Sequence, residues 1–237
     1  MLKTLSKITT LFFLIVLLTA GSAMALSISF DNGNDGSAEI TVNDDDNDGY
    51  VSYTGTLLNG TNIGQWDINS LAGVSHPALG TDTLPMLDIF SLTIDYNPFN
   101  GPLGGVIAVS VEDTYADFAD LDSTIKGFVA SIGGTTYGSI DFYASINGYD
   151  IDILWGDMTH NYPAFSAAES VAMANIPTGS PFTLSMKAVI TQGAGMTTFG
   201  ANIAPVPEPA TILLFGTGLI GIAGITRRKL GLNKGRK

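Results

Sequence analysis

Apolar side chains alternate with polar ones at every second position through much of this chain. The alternation runs through five segments, at residues 51–57, 90–95, 139–146, 151–155 and 183–190. Successive side chains of a β-strand point to opposite faces of a sheet, so this pattern places one face in a core and the other in water. In the second segment, for example, Phe90, Leu92 and Ile94 are expected on the core face.

Turn dipeptides separate these segments. Asn-Gly, Asp-Gly or Gly-Gly pairs stand at residues 32–33, 48–49, 59–60, 100–101, 133–134 and 147–148. Only residues 114–121 and 164–174 favour short helices, and no internal repeat indicates a propeller or a solenoid. The sequence therefore predicts an all-β fold, an antiparallel, jelly-roll-like β-sandwich that forms a single domain at residues 26–204.

The charge of this domain is strongly negative. The chain has 22 acidic and 10 basic residues and no cysteine. Between residues 26 and 206, only Lys126 and Lys187 are basic, against 21 acidic residues, which gives a net charge of −19. Such a surface has no basic patch to displace the counterions of a nucleic acid, so nucleic acid is excluded as a partner. The lack of cysteine excludes thiol catalysis and Cys-ligated metal sites.

The N-terminus has the pattern of a secretory signal peptide. Lys3 and Lys7 precede an uncharged apolar run at residues 8–20. Ala23 and Ala25 are the small residues that precede signal cleavage. The run is short for a bilayer span, which needs about 20 residues. We therefore predict that residues 1–25 are removed and that the domain is exported.

The C-terminus has three parts in a fixed order. A proline-rich stretch at residues 205–211 comes first, and an uncharged apolar segment at 212–226 is predicted to be a single transmembrane helix. A basic tail at residues 227–237 follows, and its stop signal is Arg227, Arg228 and Lys229. Because positive flanks stay in the cytoplasm, the acidic domain is left on the outside.

This order resembles the PEP-CTERM sorting signal of Gram-negative bacteria. The resemblance covers residues 205–229, about a tenth of the chain, and its core is Val206, Pro207, Glu208 and Pro209. It implies recognition by an exosortase, a membrane-embedded cysteine protease-transpeptidase, after a transient membrane anchorage. It also implies delivery to the cell surface or the extracellular space, in association with exopolysaccharide and biofilm. The tail at 230–237 is longer than this pattern usually has.

An acidic loop lies near the start of the domain. Asp44, Asp46 and Asp48, followed by Gly49, match the first half of a calcium loop, in which alternate carboxylates face one cation and the glycine permits a sharp turn. Position 12 of such a loop would be Gly55 instead of a bidentate glutamate. The loop is therefore a candidate calcium site or a solvated acidic turn, and residues 31–36 form a weaker copy.

Catalysis has little support in the sequence, and we predict that the protein is not an enzyme. Asp150 and Asp152 share a strand face at about 6.5–7 Å, near the spacing of glycosidase carboxylates, but any polar strand face shows this spacing. His76 and His160 lack metal-ligand spacing. Packing is the expected role, rather than sugar stacking, for four aromatic residues: Tyr50, Trp66, Tyr143 and Trp155. The acidic pair Glu112 and Asp113 is expected on the surface.

The sequence thus predicts an exported, exosortase-sorted protein of the cell surface or matrix, structural or adhesive in the exopolysaccharide layer. The alternative is a calcium-dependent carbohydrate-binding module, and a secreted glycoside hydrolase is a distant third. Aromatic side chains exposed together on one sheet face favour binding, whereas aromatic side chains inside the core favour a structural role.

Overall fold

The computed structural model of the protein describes residues 26–58, 64–98, 104–115, 117–153 and 164–207. The predicted signal peptide with Ala23 and Ala25, and the apolar helix with its basic stop, lie outside these residues, as do Glu208 and Pro209. In these ranges, no helix is both long and apolar enough to cross a bilayer.

The described residues form two six-stranded antiparallel sheets and a two-stranded ribbon. The first sheet contains β1 (Ser27–Asn32), β2 (Ile40–Asn43), β8 (Gly105–Tyr115), β10 (Ser139–Ile146), β11 (Tyr149–Ile153) and β13 (Phe182–Gln192). The second sheet contains β3 (Tyr50–Leu58), β4 (Gly64–Val74), β7 (Leu87–Pro98), β9 (Ile125–Thr135), β12 (Ala164–Ala172) and β14 (Gly195–Pro207). The ribbon pairs β5 (Gly80–Thr81) with β6 (Leu84–Pro85). The predicted all-β, antiparallel class is therefore confirmed.

The strand order shows nested pairing. The first sheet runs β11-β10-β13-β8-β1-β2, and the second runs β12-β9-β14-β7-β4-β3. Among the eight strands from β7 to β14, the first in the chain pairs with the last, the second with the second to last, and so on inward. The pairs are β7 with β14, β8 with β13, β9 with β12, and β10 with β11. A hairpin rolled up in this way is a jelly roll, and β1 to β4 extend both of its sheets at one edge.

The core lies between the two sheets, where the alternating apolar side chains meet. Phe182 of β13 contacts Phe128 of the opposite sheet with ring centroids 5.8 Å apart, and Tyr115 and Phe118 complete this aromatic cluster at 6.2 and 6.0 Å. Tilted ring pairs at such distances add to the gain from burial alone. The aromatic cluster thus ties the two sheets together.

The two predicted helices are wrong. Residues 164–172 form the edge strand β12, and only the 3₁₀ turn Met173–Asn175 follows it. At residues 114–121, β8 runs to Tyr115, and the one helical feature described there is the 3₁₀ turn Phe118–Asp120. Alanine-rich segments have high helix propensity, but β12 pairs with β9 along its whole length, and this pairing overrides that preference.

Phe90 is also not where the alternation predicts it. Leu92 and Ile94 are fully buried, whereas Phe90 is 76% exposed. A bulge in β7 places Phe90 and Ser91 opposite the single residue Gly200 of β14. The extra residue shifts the alternation by one position and turns Phe90 to the solvent side of the second sheet.

The last strand continues into the proline-rich stretch. β14 runs three residues past residue 204 and pairs with β9 as far as Pro207, opposite Ile125. Its pairs with β7 end earlier, at Ile203. The start of the sorting motif is therefore extended backbone, attached to the domain on one side.

Candidate functional site

The acidic loop between β2 and β3 brings three carboxylates together. Oxygen atoms of Asp44, Asp46 and Asp48 lie within 4.8 Å of one another. Asp44 is buried, and its two carboxylate oxygens accept hydrogen bonds from the backbone N–H groups of Asp48 (3.2 Å) and Gly49 (2.8 Å). The buried aspartate thus shapes the loop, and the other two acids stay exposed.

A hydrogen bond between carboxyls and the repulsion of like charges both act on this loop. A hydrogen bond with Asp44 and the negative charge of Asp48 raise the pKa of Asp46 above its ordinary value. Three convergent carboxylates repel one another, and a bound cation would relieve that repulsion. Oxygen ligands of this kind suit a hard cation such as calcium, which stays a prediction for this loop.

Residues 31–36 repeat the same loop geometry. Asp31 accepts hydrogen bonds from the backbone N–H groups of Asp35 (3.0 Å) and Gly36 (2.7 Å), which follow it by four and five residues. Asp44 accepts from the residues at the same two distances along its own loop. In both loops an asparagine with positive φ precedes the last aspartate, Asn34 (54°) before Asp35 and Asn47 (56°) before Asp48. Gly33 stands where the other loop has Asp46, so the middle carboxylate is missing here.

The acidic loop rests on the segment after β4. Ser75 donates its backbone N–H to the carbonyl of Gly49 (2.9 Å), and a Cβ on Gly49 would lie 2.5 Å from the Ser75 carbonyl oxygen. Gly49 also has a φ of +79°, so both the turn and the close approach require glycine here.

Asp113 lies beneath this segment, and its predicted surface position is wrong. It is only 5% exposed because the alternation of β8 turns it inward. Burial raises the pKa of this carboxyl, although hydrogen bonds from Ser75 and from the N–H of Thr114 (2.8 Å) lower it in part. The structure thus holds a buried carboxyl that no sequence motif indicates.

Replacement of Asp113 by asparagine is expected to flatten the decline in stability between acid and neutral pH. The pKa of this carboxyl is raised by folding, so its protonated form stabilises the folded state. This stabilisation is complete below the unfolded-state pKa of 3.8, and it is lost as the pH rises through the pKa of the folded state. Each unit by which the pKa is raised corresponds to about 1.4 kcal/mol at neutral pH.

Urea unfolding of wild type and Asp113→Asn from pH 3.5 to 7.5 measures this difference. The neighbouring, exposed Glu112→Gln is the control and should keep the wild-type slope. A wild-type slope in Asp113→Asn as well would show that burial does not perturb this carboxyl.

A polar groove of about 470 Å³ crosses the outer face of the first sheet. The strand register fixes its pattern: Lys187 of β13 stands directly opposite Tyr143 of β10, and Ser185 stands opposite Ser145. Asp141 and Asp150 lie at its sides, and Asn34 reaches it from the loop 31–36. The groove therefore combines a cation, an aromatic ring, hydroxyls, an amide and carboxylates.

On the outer face of the second sheet, three pairs of polar side chains are hydrogen-bonded to one another. Thr93 bonds Thr198 (3.3 Å), Ser131 donates to Asn202 (3.0 Å), and Gln65 donates to Asp67 (2.9 Å). In the groove, within the described residues, Asp141, Tyr143, Ser145, Asp150, Ser185 and Lys187 have no such bond. These groove side chains are thus left for water or a ligand.

The remaining sequence candidates are distributed as follows. Trp66 is fully buried, as predicted, and Tyr50 is 48% exposed beside the acidic loop. His76 Nδ1 lies 3.5 Å from Asp82 Oδ1. Asp152 lies in β11, and His160 and Trp155 are outside the described residues.

The sequence did not indicate Lys187 and Asn34 as groove residues. The one available signal was that Lys187 is one of two lysines in an acidic domain.

A family model confirms the sorting signal. The PEP-CTERM protein-sorting motif matches residues 205–229, the range given by the sequence pattern. The motif indicates an exported protein that an exosortase sorts after transient membrane anchorage. No curated protein matches the chain.

Three solved structures show weak likeness to the domain. The carbohydrate-binding module TmCBM61, in complex with β-1,4-galactotriose, is 9% identical, with 60% of this chain and 88% of that chain covered and a TM-score of 0.30. The enzymatically active domain of bacteriophage CBA120 tailspike protein 4 is 11% identical over 60% of this chain and 19% of that chain (TM-score 0.31). A family 35 carbohydrate-binding module from Clostridium thermocellum is 10% identical over 50% and 90% (TM-score 0.26). Scores this low make none of them a guide to the ligand of this chain.

Proposed function

We propose that this chain, which carries a PEP-CTERM sorting motif, is a non-catalytic protein of the cell surface or matrix whose jelly roll is structural or adhesive in the exopolysaccharide layer. The observation that carries this proposal is the motif match at residues 205–229, immediately after an acidic, exported-type domain. Exosortase is the processing partner, and surface glycan is the proposed neighbour of the released protein.

The end of the domain supports processing at this place. Pro205 and Pro207 lack backbone donors, and Val206 is 38% exposed at the end of β14. Extended, proline-containing backbone is what a protease can bind, whereas a helix would have to unwind first. Since β14 pairs up to Pro207, the folded domain lies next to the membrane until the enzyme releases it.

Cleavage of the sorting signal is the test of this proposal. Mass spectrometry of the surface protein from a host with the exosortase should show loss of the residues beyond about 211, including the apolar segment 212–226. Replacement of Pro207, Glu208 and Pro209 by alanine, or deletion of the exosortase gene, should leave the whole C-terminus attached and the protein in the inner membrane. An intact apolar segment on mature wild-type protein would mean that the segment is a permanent anchor.

A second proposal concerns the acidic loop, which we infer binds one calcium ion through Asp44, Asp46 and Asp48. The convergence of their oxygens within 4.8 Å favours it, together with the raised pKa of Asp46. The absence of a bidentate glutamate implies a weak site, with a dissociation constant on the order of 0.1–1 mM, as in extracellular modules.

Calcium should therefore raise the melting temperature of the wild type, because it binds only the folded loop. At 10 mM calcium the expected stabilisation is about 1.4–2.7 kcal/mol. The Asp46→Ala variant should lose this response, whereas Asp45→Ala, which removes the same charge from the same loop but lies outside the convergent set, should keep it. Identical melting of wild type and Asp46→Ala at every calcium concentration would leave a solvated acidic turn.

A further inference from the structure

We propose that the groove on the first sheet is a binding site for a neutral glycan chain. This inference rests on the proposed function, since it names the ligand class through which the domain would act in a polysaccharide layer. It depends on the groove residues alone and not on the acidic loop.

The shape of the groove fits an extended polymer. Its side chains come from three neighbouring strands: β10 and β13 each line it over five residues, 141–145 and 185–189, and β11 contributes Asp150. Strand and residue spacings give a polar surface of about 10 by 13 Å. A surface of this size takes more than one sugar ring, and the loop 31–36 with Asn34 forms a wall above it.

The chemistry of the groove matches hydroxyl groups. Carboxylates only accept hydrogen bonds and an ammonium only donates them, whereas a sugar hydroxyl does both. Lys187 stands beside Tyr143, the serine pair Ser145 and Ser185 lies two residues along the same strands, and Asp141 and Asp150 supply acceptors at the sides. Neighbouring hydroxyls of a sugar can therefore bond an acid and the ammonium at once, with the ring set against Tyr143.

The accessibility of these groups is the independent observation. Lys187, Tyr143, Asp141 and Ser185 are all half-buried, so each is held in place by the sheet but keeps a solvent-facing part. Among the described residues none of them is engaged by another side chain, in contrast to the paired polar groups on the second sheet. Binding would thus break no hydrogen bond within the protein, which lowers its cost.

Other ligand classes fit less well. One ammonium faces two carboxylates in a domain of net charge −19, so an anionic polymer would be repelled. The centre of a protein interface is depleted in charge, unlike this surface. Among the described residues, the one convergent set of acids that suits a metal is in the loop 44–48 and not in the groove.

Affinity electrophoresis of the exported protein tests the proposal. The probes are four neutral polysaccharides, galactan, mannan, xylan and dextran, and acidic polygalacturonate. At least one neutral polysaccharide should retard the wild type, and Tyr143→Ala and Lys187→Gln should each weaken that binding about tenfold, the factor that 1.4 kcal/mol gives.

Two matched controls separate the groove from the rest of the surface. Phe90→Ala removes an exposed aromatic ring from the second sheet, and Lys126→Gln removes the other lysine of the domain; both should bind within about twofold of the wild type. The proposal is overturned if no neutral polysaccharide retards the wild type, if the controls lose as much as the groove variants, or if polygalacturonate binds better than every neutral chain.

Measurement of C-terminal processing distinguishes a failure of the groove proposal from a failure of the proposed function. Both groove variants should be processed at the C-terminus like the wild type, because the groove is on the first sheet and the strand that leads into the sorting motif, β14, is in the second. Normal processing of a wild type that binds no glycan would overturn only the proposal that the groove binds glycan. Absent processing would overturn the proposed function, whatever the purified protein binds.

Discussion

Replacement of Phe182 by alanine is expected to lower the free energy of unfolding by about 3–5 kcal/mol, the usual cost of removing a large aromatic side chain from a core. Phe182 is fully buried, and its ring contacts Tyr115 and Phe118 on its own side of the core and Phe128 of the opposite sheet. Its loss would leave a cavity where the two sheets are joined. Equilibrium unfolding in guanidinium chloride measures the change.

The same substitution at Phe90 is the matched control. Its ring is 76% exposed, so Phe90→Ala should change the stability by no more than about 0.5 kcal/mol. Equal losses at the two positions would contradict the bulge in β7, because they would mean that Phe90 is a core residue after all.

Replacement of Asp44 by alanine should cost about 2–4 kcal/mol even without calcium. The buried carboxylate accepts the part-buried N–H group of Asp48 and the buried N–H group of Gly49. A hydrogen bond to a charged group contributes about 1.5–3 kcal/mol, and less where water can replace it, as at Asp48. The loop also carries Gly49 against Ser75, so its loosening should reach the core.

Asp46→Ala, measured in the presence of a chelator, is the control for this prediction. Asp46 is exposed, and its carboxylate bonds its own backbone N–H and the side chain of Asp44 rather than the N–H groups of Asp48 and Gly49, so its loss should relieve repulsion without lowering the stability. A calcium-free stability of Asp44→Ala equal to that of the wild type would show that the loop is shaped by something other than Asp44.

The two roles of the acidic loop can therefore be separated. Asp44 is predicted to act in the fold and in cation binding, whereas Asp46 acts in cation binding alone. Their difference arises from burial, which the loop's sequence does not reveal, since all three aspartates have the same spacing in D-x-D-x-D-G.

Local patterns in the sequence determined several features. The order of prolines, apolar segment and basic stop identified the PEP-CTERM motif at residues 205–229, since such a signal is read as a linear segment. The period of two predicted antiparallel strands, because alternation is a property of each strand by itself. The spacing of Asp44, Asp46 and Asp48 indicated the acidic loop for the same reason.

The tertiary structure alone decided which residues meet. An extra residue in β7 turned Phe90 outward, which cannot be read from a residue and its neighbours. Asp113 follows the alternation of β8 into the core, but only the tertiary structure supplies the partners, such as Ser75, that accept a carboxyl there. Tyr143 and Lys187 are 44 positions apart, and only the register of β10 on β13 sets them side by side in the groove. Strand register depends on the packing of both sheets at once, so a shift of one residue would have moved every one of these side chains to the other face.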